Sequence, residues 1–173
     1  MRVVAGEARG RPLVAPAGSA TRPTSDRVRE ATFNALHSLG AVEGATVLDL
    51  FAGSGAMGIE ALSRGAAAAT FVENDPKAVG AIGRNLTATG LADRATVVRG
   101  DAARFIQTAG PVDLAVLDPP YATDGDAWRA LLSALDAGVA VLESDREPAL
   151  PAPWAIIRLR RYGGTVVALA RRS

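Results

Sequence analysis

Val47-Leu48-Asp49-Leu50-Phe51-Ala52-Gly53-Ser54-Gly55-Ala56-Met57-Gly58 is the stretch on which the fold turns. Its first half is apolar apart from Asp49 and has the length of a buried strand. Its second half sets glycines at 53, 55 and 58, and Ile59, Glu60, Ala61 and Leu62 continue at once in a helical pattern. Strand, tight glycine turn and helix N-terminus follow one another. Such a turn lets a ligand approach backbone that no Cβ shields, and the helix start offers unpaired N–H groups. A dinucleotide fits this pattern, as does the adenosyl group of S-adenosylmethionine, and so does a plain turn with no ligand. The glycines alone do not separate these.

Working outward, strands and helices alternate. The expected strands after Thr46–Phe51 are Ala69–Glu73, Ala95–Arg99, Val112–Leu117 and Val139–Glu143. The expected helices run from the glycine turn to Arg64, from the Asp75 cap with Pro76 in its first turn to Thr89, from Ala102 to Ala109, and over Ala127–Leu135. The end of the chain differs: Ala155–Arg161, Gly163-Gly164 and Thr165–Ala170 read as two strands joined by a tight turn, hence antiparallel. Repeated strand–helix units predict an α/β fold, a mostly parallel sheet with helices on both faces and an antiparallel pair at one edge. Upstream, a helix is expected from Asp26, as N-cap, to Leu39, with Val28, Thr32, Ala35, Leu36 and Leu39 on one face. Residues 1–16 read as a small β-hairpin arm around a Gly6–Arg11 turn, followed by a linker rich in Ala, Gly, Ser, Thr and Pro. The expected division is an arm and linker over 1–20 and one domain over 21–173.

At 173 residues with 49% apolar content, one folded domain with a real core is expected, and the composition argues against disorder. Net charge is only +1, but residues 1–29 hold six arginines (Arg2, Arg9, Arg11, Arg22, Arg27 and Arg29) against Glu7 and Asp26, an excess of four. Cysteine is absent, which excludes disulfides, thiol catalysis and cysteine metal sites. The single histidine, His37, falls late in its helix and reads as a surface residue. No apolar run suffices to span a membrane and no signal-peptide core follows Met1, so a cytoplasmic protein is expected.

Ligands of open α/β sheets bind beyond the carboxyl ends of the strands. Each of the first four strands ends in or near an acid there: Asp49, Glu73 with Asn74 and Asp75, Asp101 before Ala102, and Asp118. Glu73 follows Gly53 by twenty residues, the range of a carboxylate that accepts ribose hydroxyls. Asp101 suits both a helix cap and an acceptor for an adenine amine. Asp118-Pro119-Pro120-Tyr121 separates the cofactor classes. Two prolines remove N–H donors and fix φ twice, leaving a stiff rim of acceptors beside an aromatic ring. That rim suits a flat substrate that donates N–H bonds, such as a nucleobase amine, and a nicotinamide enzyme has no use for it.

The block through Asp49, Phe51, Gly53 and Gly55 resembles the first motif of class I S-adenosylmethionine-dependent methyltransferases, and Asp118–Tyr121 resembles their Asp/Asn-Pro-Pro-Tyr/Phe amino-methyltransferase motif. Gly6-Glu7-Ala8-Arg9-Gly10-Arg11 and Arg22-Pro23-Thr24-Ser25-Asp26-Arg27-Val28-Arg29-Glu30 are similar to the opening of the bacterial 16S rRNA guanine-N2 methyltransferases of the RsmD family. The resemblance extends to Arg161-Tyr162-Gly163 and spans nearly the whole chain. It implies a Rossmann-like class I fold of seven strands, and methyl transfer from S-adenosylmethionine to the exocyclic N2 of a 16S rRNA guanine, releasing S-adenosylhomocysteine. No metal is expected, because the sulfonium methyl is already a strong electrophile. The expected catalytic residues are Asp118, Pro119, Pro120 and Tyr121. The expected cofactor residues are Arg22, Thr24, Asp49, Phe51, Ala52, Gly53, Ser54, Gly55, Gly58, Glu73, Asn74, Asp101 and Ala102, with the Arg22–Thr24 segment over the methionine end. Arg2, Arg9, Arg11 and Arg22 are expected on RNA, and the partner is 16S rRNA or the small ribosomal subunit, met by a monomer. Two alternatives stay open: a DNA amino-methyltransferase, for which 173 residues leave no room for a sequence-reading domain, and a non-catalytic dinucleotide-binding module, against which the proline motif stands.

Overall fold

A computed structural model describes residues 1–18 and 23–173. Seven strands form one sheet: β1 (Thr46–Leu50), β2 (Ala68–Glu73), β3 (Ala95–Arg99), β4 (Val112–Leu117), β5 (Ala137–Ser144), β6 (Trp154–Tyr162) and β7 (Thr165–Arg172). Their spatial order is β3-β2-β1-β4-β5-β7-β6. The first five are mutually parallel, and β7 runs antiparallel between β5 and β6. Among the described residues the α-helices are α1 (Asp26–Ser38), α2 (Ala56–Ser63), α3 (Pro76–Thr89), α4 (Ala102–Phe105) and α5 (Gly125–Ala134), with a short 3-10 turn at Ala92–Arg94 before β3.

Alternation along the strands sorts the core into two layers. Val47, Phe71, Leu114, Val116, Val141 and Leu169 face Phe33 and Leu36 of α1, Ile59 and Leu62 of α2, and Ile82 and Leu86 of α3. Leu48, Leu50, Val72, Leu117 and Leu142 face Ile106, next to α4, and Trp128, Leu131 and Leu132 of α5. Central strands buried on both faces explain the near-continuous apolar runs that mark β1, β4 and β5 in the sequence.

Several expected boundaries move for local reasons. Ser25, not Asp26, caps α1, its hydroxyl accepting the Val28 N–H at 3.2 Å, which frees Asp26 to pair with Arg29. The helix from Ala102 is four residues, shorter than expected, and the chain continues to Ala109 in turns. Asp124 caps α5, which starts at Gly125. β5 to β7 are each longer than expected at one or both ends, because pairing in the sheet holds polar ends such as Ser144 and Arg172 in line.

The N-terminal arm folds back on itself, but its ladder is a single bridge between Arg2 and Pro12, flanked by Val3 N–H to Arg11 carbonyl (3.0 Å) and Leu13 N–H to Met1 carbonyl (2.9 Å). Two-stranded pairs need a hydrophobic face to lean on. Val3, Ala8 and Leu13 supply one, buried in the same core layer as α1, α2 and α3. At Gly6 (φ +86°), a Cβ would sit 1.8 Å from the Ser63 carbonyl oxygen, so only glycine permits the arm to lie this close to α2. The Glu7 N–H then bonds the Ser63 carbonyl at 2.8 Å, and the Ala8 N–H the Ser63 hydroxyl at 2.9 Å.

Candidate active site at the carboxyl ends of the strands

The strand order reverses direction between β1 and β4, and a crevice opens at such a switch point. Leu50 pairs with Leu117, and Leu117 with Leu142. The residues that follow, Phe51, Asp118 and Glu143, therefore stand side by side. Beyond β1 the chain turns through three left-handed residues, Phe51 (φ 60°), Gly53 (φ 57°) and Gly55 (φ 79°). The non-glycine Phe51 pays strain of about 1–3 kcal/mol for this, and it is held by its packing beside the α4–α5 layer. The Ala52 N–H bonds the Val72 carbonyl (3.1 Å) and the Gly55 N–H the Ala52 carbonyl (2.7 Å).

The three glycines have different reasons to be glycine. On the Cβ side of Gly53 nothing lies within 4 Å: the space is open toward the crevice. A Cβ on Gly55 would touch Ile82 at 3.3 Å and the Phe71 ring at 3.4 Å. A Cβ on Gly58 would fall 2.4 Å from the Phe71 ring, so Gly58 serves the close packing of α2 on the sheet, and its N–H is taken by the Asp49 carboxylate at 2.9 Å. Asp49 is only 2% exposed. Burial, with Glu73 adding to it, pushes its carboxyl up to about 7 against the pull of the Gly58 N–H. Glu73, at the tip of β2, accepts the Gly53 N–H at 2.8 Å and the Asp75 N–H at 2.9 Å. Asn74 beside it is exposed. Asp101 caps α4 through the Arg104 N–H at 2.9 Å, ahead of buried Ala102, and with Val98, Gly100, Arg104 and Phe105 lines an open cleft of about 580 Å³.

Across the crevice, Asp118 is half-buried, Pro119 is buried, and Pro120 and Tyr121 are exposed, Tyr121 to 53%. The Tyr121 hydroxyl lies 3.5 Å from that of Thr165. Burial pushes the Asp118 carboxyl up to about 8, with Glu143 and then Asp49 adding negative charge. Thr24 reaches in from the start of α1, its hydroxyl donating to Glu143 at 2.7 Å. Arg22 lies outside the described residues. The structure thus gathers Asp49, the glycine turn, Glu73, Thr24 and Asp118–Tyr121 at one end of the sheet, with Asp101 next along. Arg2, Arg9 and Arg11 are exposed on the arm, whose Gly6–Ala8 turn lies against Ser63 at the opposite end of α2 from the glycine loop.

Two residues of this end were not singled out from the sequence. Glu143 carried a signal, since it closes the strand expected over Val139–Glu143 as Asp118 follows the one before it. Asn85 carried a fainter one, a polar residue on the buried stripe of α3. Its side-chain oxygen accepts the Val14 N–H at 2.8 Å, and its amide donates to the carbonyls of Val14 and Ser54 at 2.9 Å each. It ties the end of the arm to the glycine loop.

The donors and acceptors present fit an adenosyl cofactor. Open space beyond Gly53 admits a ligand to bare backbone, and the Glu73 carboxylate, whose two oxygens each spend one lone pair on backbone N–H, keeps capacity for hydroxyl donors. Among the described residues, no helix is long and apolar enough to cross a membrane.

Comparison with known proteins agrees with this geometry. The family described as Conserved hypothetical protein 95 matches residues 1–171. YlbH of Bacillus subtilis is 40% identical over 99% of each chain. Ribosomal RNA small subunit methyltransferase D of Escherichia coli is 37% identical over the whole of this chain and 90% of its own. The solved structure of Escherichia coli yhhF superposes with a TM-score of 0.86 at 36% identity, covering all of this chain and 98% of the other. Matched by this family over nearly its whole length and by these relatives at 36–40% identity, the chain belongs to the family of the ribosomal RNA small subunit methyltransferases D.

Proposed function

We propose that the protein methylates the exocyclic N2 amine of a guanine in small-subunit 16S ribosomal RNA, using S-adenosylmethionine and releasing S-adenosylhomocysteine. The observation that carries this reading is Asp118-Pro119-Pro120-Tyr121 standing beyond β4, directly beside the glycine turn of β1. The name of the Escherichia coli relative supports ribosomal RNA rather than DNA as the acceptor. S-adenosylmethionine supplies an activated methyl group. Everything else falls to the chain. Glu73 would accept the ribose hydroxyls and Asp101 the adenine amine, with Asn74 and Ala102 alongside, and Phe51 to Gly55 would shape the floor. Thr24 would lie toward the methionine end.

A guanine amine is a poor nucleophile because its lone pair is delocalised into the ring. Asp118 and the Pro119 carbonyl accept its two N–H bonds and turn that lone pair toward the methyl, so orientation governs the rate. Positive charge would develop on N2 as it accepts the methyl group. The Asp118 carboxylate stabilises it and takes the proton. Tyr121 offers its exposed ring to the base, which leaves the RNA stack to reach it.

The direct test is radiolabelled methyl transfer to small subunits lacking the modification, followed by nucleoside analysis: label in N2-methylguanosine is expected, and label in any other nucleoside overturns the proposal. Glu73→Ala is expected to weaken S-adenosylmethionine binding by about 1–3 kcal/mol in calorimetry, because it removes a charge-assisted acceptor and the tie that holds Gly53. Unchanged affinity removes Glu73 from the site. The arm contributes RNA contact through Arg2, Arg9 and Arg11. Replacing Arg9 and Arg11 with Ala is expected to flatten the salt dependence of RNA affinity by about one to two units of slope. An unchanged slope leaves the arm only its structural role.

A further inference from the structure

The basic character of the chain is concentrated at its other end. Residues 154–173 hold Arg158, Arg160, Arg161, Arg171 and Arg172 and no acid, an excess of five in a chain whose net charge is +1. Of these, Arg172 is paired, with Asp136 at 2.8 Å. The other four are exposed and make no ion pair among the described residues. β6 is an edge strand, and its outer hydrogen-bonding groups face no neighbour in the sheet.

Register decides where these side chains go. Arg158 stands opposite Leu169 and Arg160 opposite Val167, and both partners belong to the core layer on the α1 side. Residues opposite one another share a face, so Arg158, Arg160 and Tyr162 form a ladder along one side of β6 with steps of about 6.6 Å. Arg161 takes the other face with Val166. The ladder climbs toward the active site: Tyr162 pairs with Thr165, and the Thr165 hydroxyl lies 3.5 Å from that of Tyr121. A row of cations therefore ends at the aromatic ring on which the target base is proposed to rest.

We propose that the Arg158–Arg160–Tyr162 ladder on β6 is a docking edge for the ribosomal RNA strand that flanks the target guanine, the two arginines holding its phosphates while the Gly163-Gly164 turn passes the flipped base to Tyr121. The inference rests on the RNA reading above and adds to the arm a second contact beside the mouth of the site. Guanidinium groups pair with phosphate in two-pronged fashion and stack on bases, which suits irregular, partly unpaired RNA. Charges on an edge strand also discourage pairing with another copy. β6 already has the register irregularity between Ile156 and Arg158 for that purpose, and that role needs no exclusive use of one sign. Two copies paired through β6 would bring arginine rows together at a repulsive cost, so the occupant is a polyanion and not a second chain.

The test is RNA affinity against salt for the wild type, for Arg158→Ala/Arg160→Ala, and for Arg129→Ala, which removes an exposed arginine of α5 distant in sequence from β6. The double variant is expected to flatten the slope of log affinity on log salt by about 1.5 units, and Arg129→Ala to leave it unchanged. The KM for unmodified small subunits is expected to rise about tenfold, with kcat at saturation, S-adenosylmethionine affinity and melting temperature held. A double variant with wild-type slope and KM overturns the proposal, as does self-association through β6 in the wild type seen by sedimentation. Failure of the wild type to methylate guanine N2, with the slope still dependent on Arg158 and Arg160, would overturn the reaction assignment and leave the docking edge standing.

Discussion

Asp118→Ala is expected to lower kcat by about two to four orders of magnitude while leaving S-adenosylmethionine affinity near wild type. The side chain stands on the substrate side of the crevice, beyond β4, and makes no hydrogen bond to the glycine turn, which is held instead by Glu73 and Asp49. Asp118→Asn keeps a carbonyl acceptor for one N–H of the amine and is expected to lose less, consistent with the Asp/Asn alternation of the motif it resembles. A single-turnover measurement of methyl transfer with prebound cofactor checks both. A rate for Asp118→Ala within a few-fold of wild type would reduce the proline motif to a structural turn.

The same residue sets a pH signature. Half-buried beside Glu143 and Asp49, the Asp118 carboxyl is pushed up to about 8 in the free protein. Only the ionised carboxylate takes a proton from the amine, so kcat/KM is expected to climb as pH rises toward 8 and then level off, and Asp118→Asn is expected to lose that climb. Stability moves the opposite way. A carboxyl raised above its ordinary value of about 4 binds a proton in the folded state that the unfolded chain has released. Its contribution is therefore complete below about pH 4 and is lost as pH rises through about 8. Asp49, raised to about 7, adds to the loss. Thermal melts between pH 4 and 8 are expected to show Asp118→Asn falling less steeply than wild type. The site is tuned to the reaction at some expense to the fold.

How far the sequence announces this arrangement depends on whether a residue's partner is near or far along the chain. Asp75 and Pro76 announce α3 because cap and proline act within one turn, and the cap is made to Lys77 as expected. β3 and β4 fall on the expected residues because apolar runs bounded by Gly and Pro need no knowledge of their neighbours. Asp49, Glu73 and Asp118 were legible because parallel strands place all their carboxyl ends at one edge. The turn of the arm was legible locally, and it is closed by its own backbone bonds, but its anchors on Glu60 and Ser63 lie more than fifty residues away and left no local signal. Arg29 shows the same limit. Counted by composition it belongs to a basic N-terminus, yet it is wholly buried and paired with Glu60. Long-range pairing of this kind leaves no local periodicity to read.

Glu60→Leu is expected to cost about 3–5 kcal/mol of stability, enough to lower the melting temperature by roughly 10 °C in a chain of this size. Glu60 lies in the middle of α2 with no exposed surface. One of its oxygens accepts the Val4 N–H at 2.9 Å and faces the Arg29 Nε at 3.3 Å. The other accepts the Ala5 N–H at 3.0 Å and the Arg64 Nε at 2.8 Å. Arg29 carries the network onward to the Asp26 carboxylate at 2.9 Å, to the Arg2 carbonyl, and to the Thr24 carbonyl at 3.5 Å. Leucine at 60 would leave two backbone N–H groups and a buried guanidinium short of acceptors, and that penalty exceeds whatever the apolar side chain regains. Much of the penalty is the stranded charge, so Arg29→Met added to Glu60→Leu is expected to restore a good part of the loss. The loss should also reach the chemistry, because Thr24, steadied through its carbonyl by Arg29, is the residue whose hydroxyl holds Glu143 beside Asp118. Urea titration of the two single variants and the double variant gives the coupling energy, and proteolysis within residues 1–16 reports release of the arm. If Glu60→Leu costs less than about 1 kcal/mol and the arm stays protected, the arm is held by Val3, Ala8 and Leu13 together with its bonds to Ser63 and Asn85, and the charged network under it is not what binds the N-terminus to the catalytic end of the sheet.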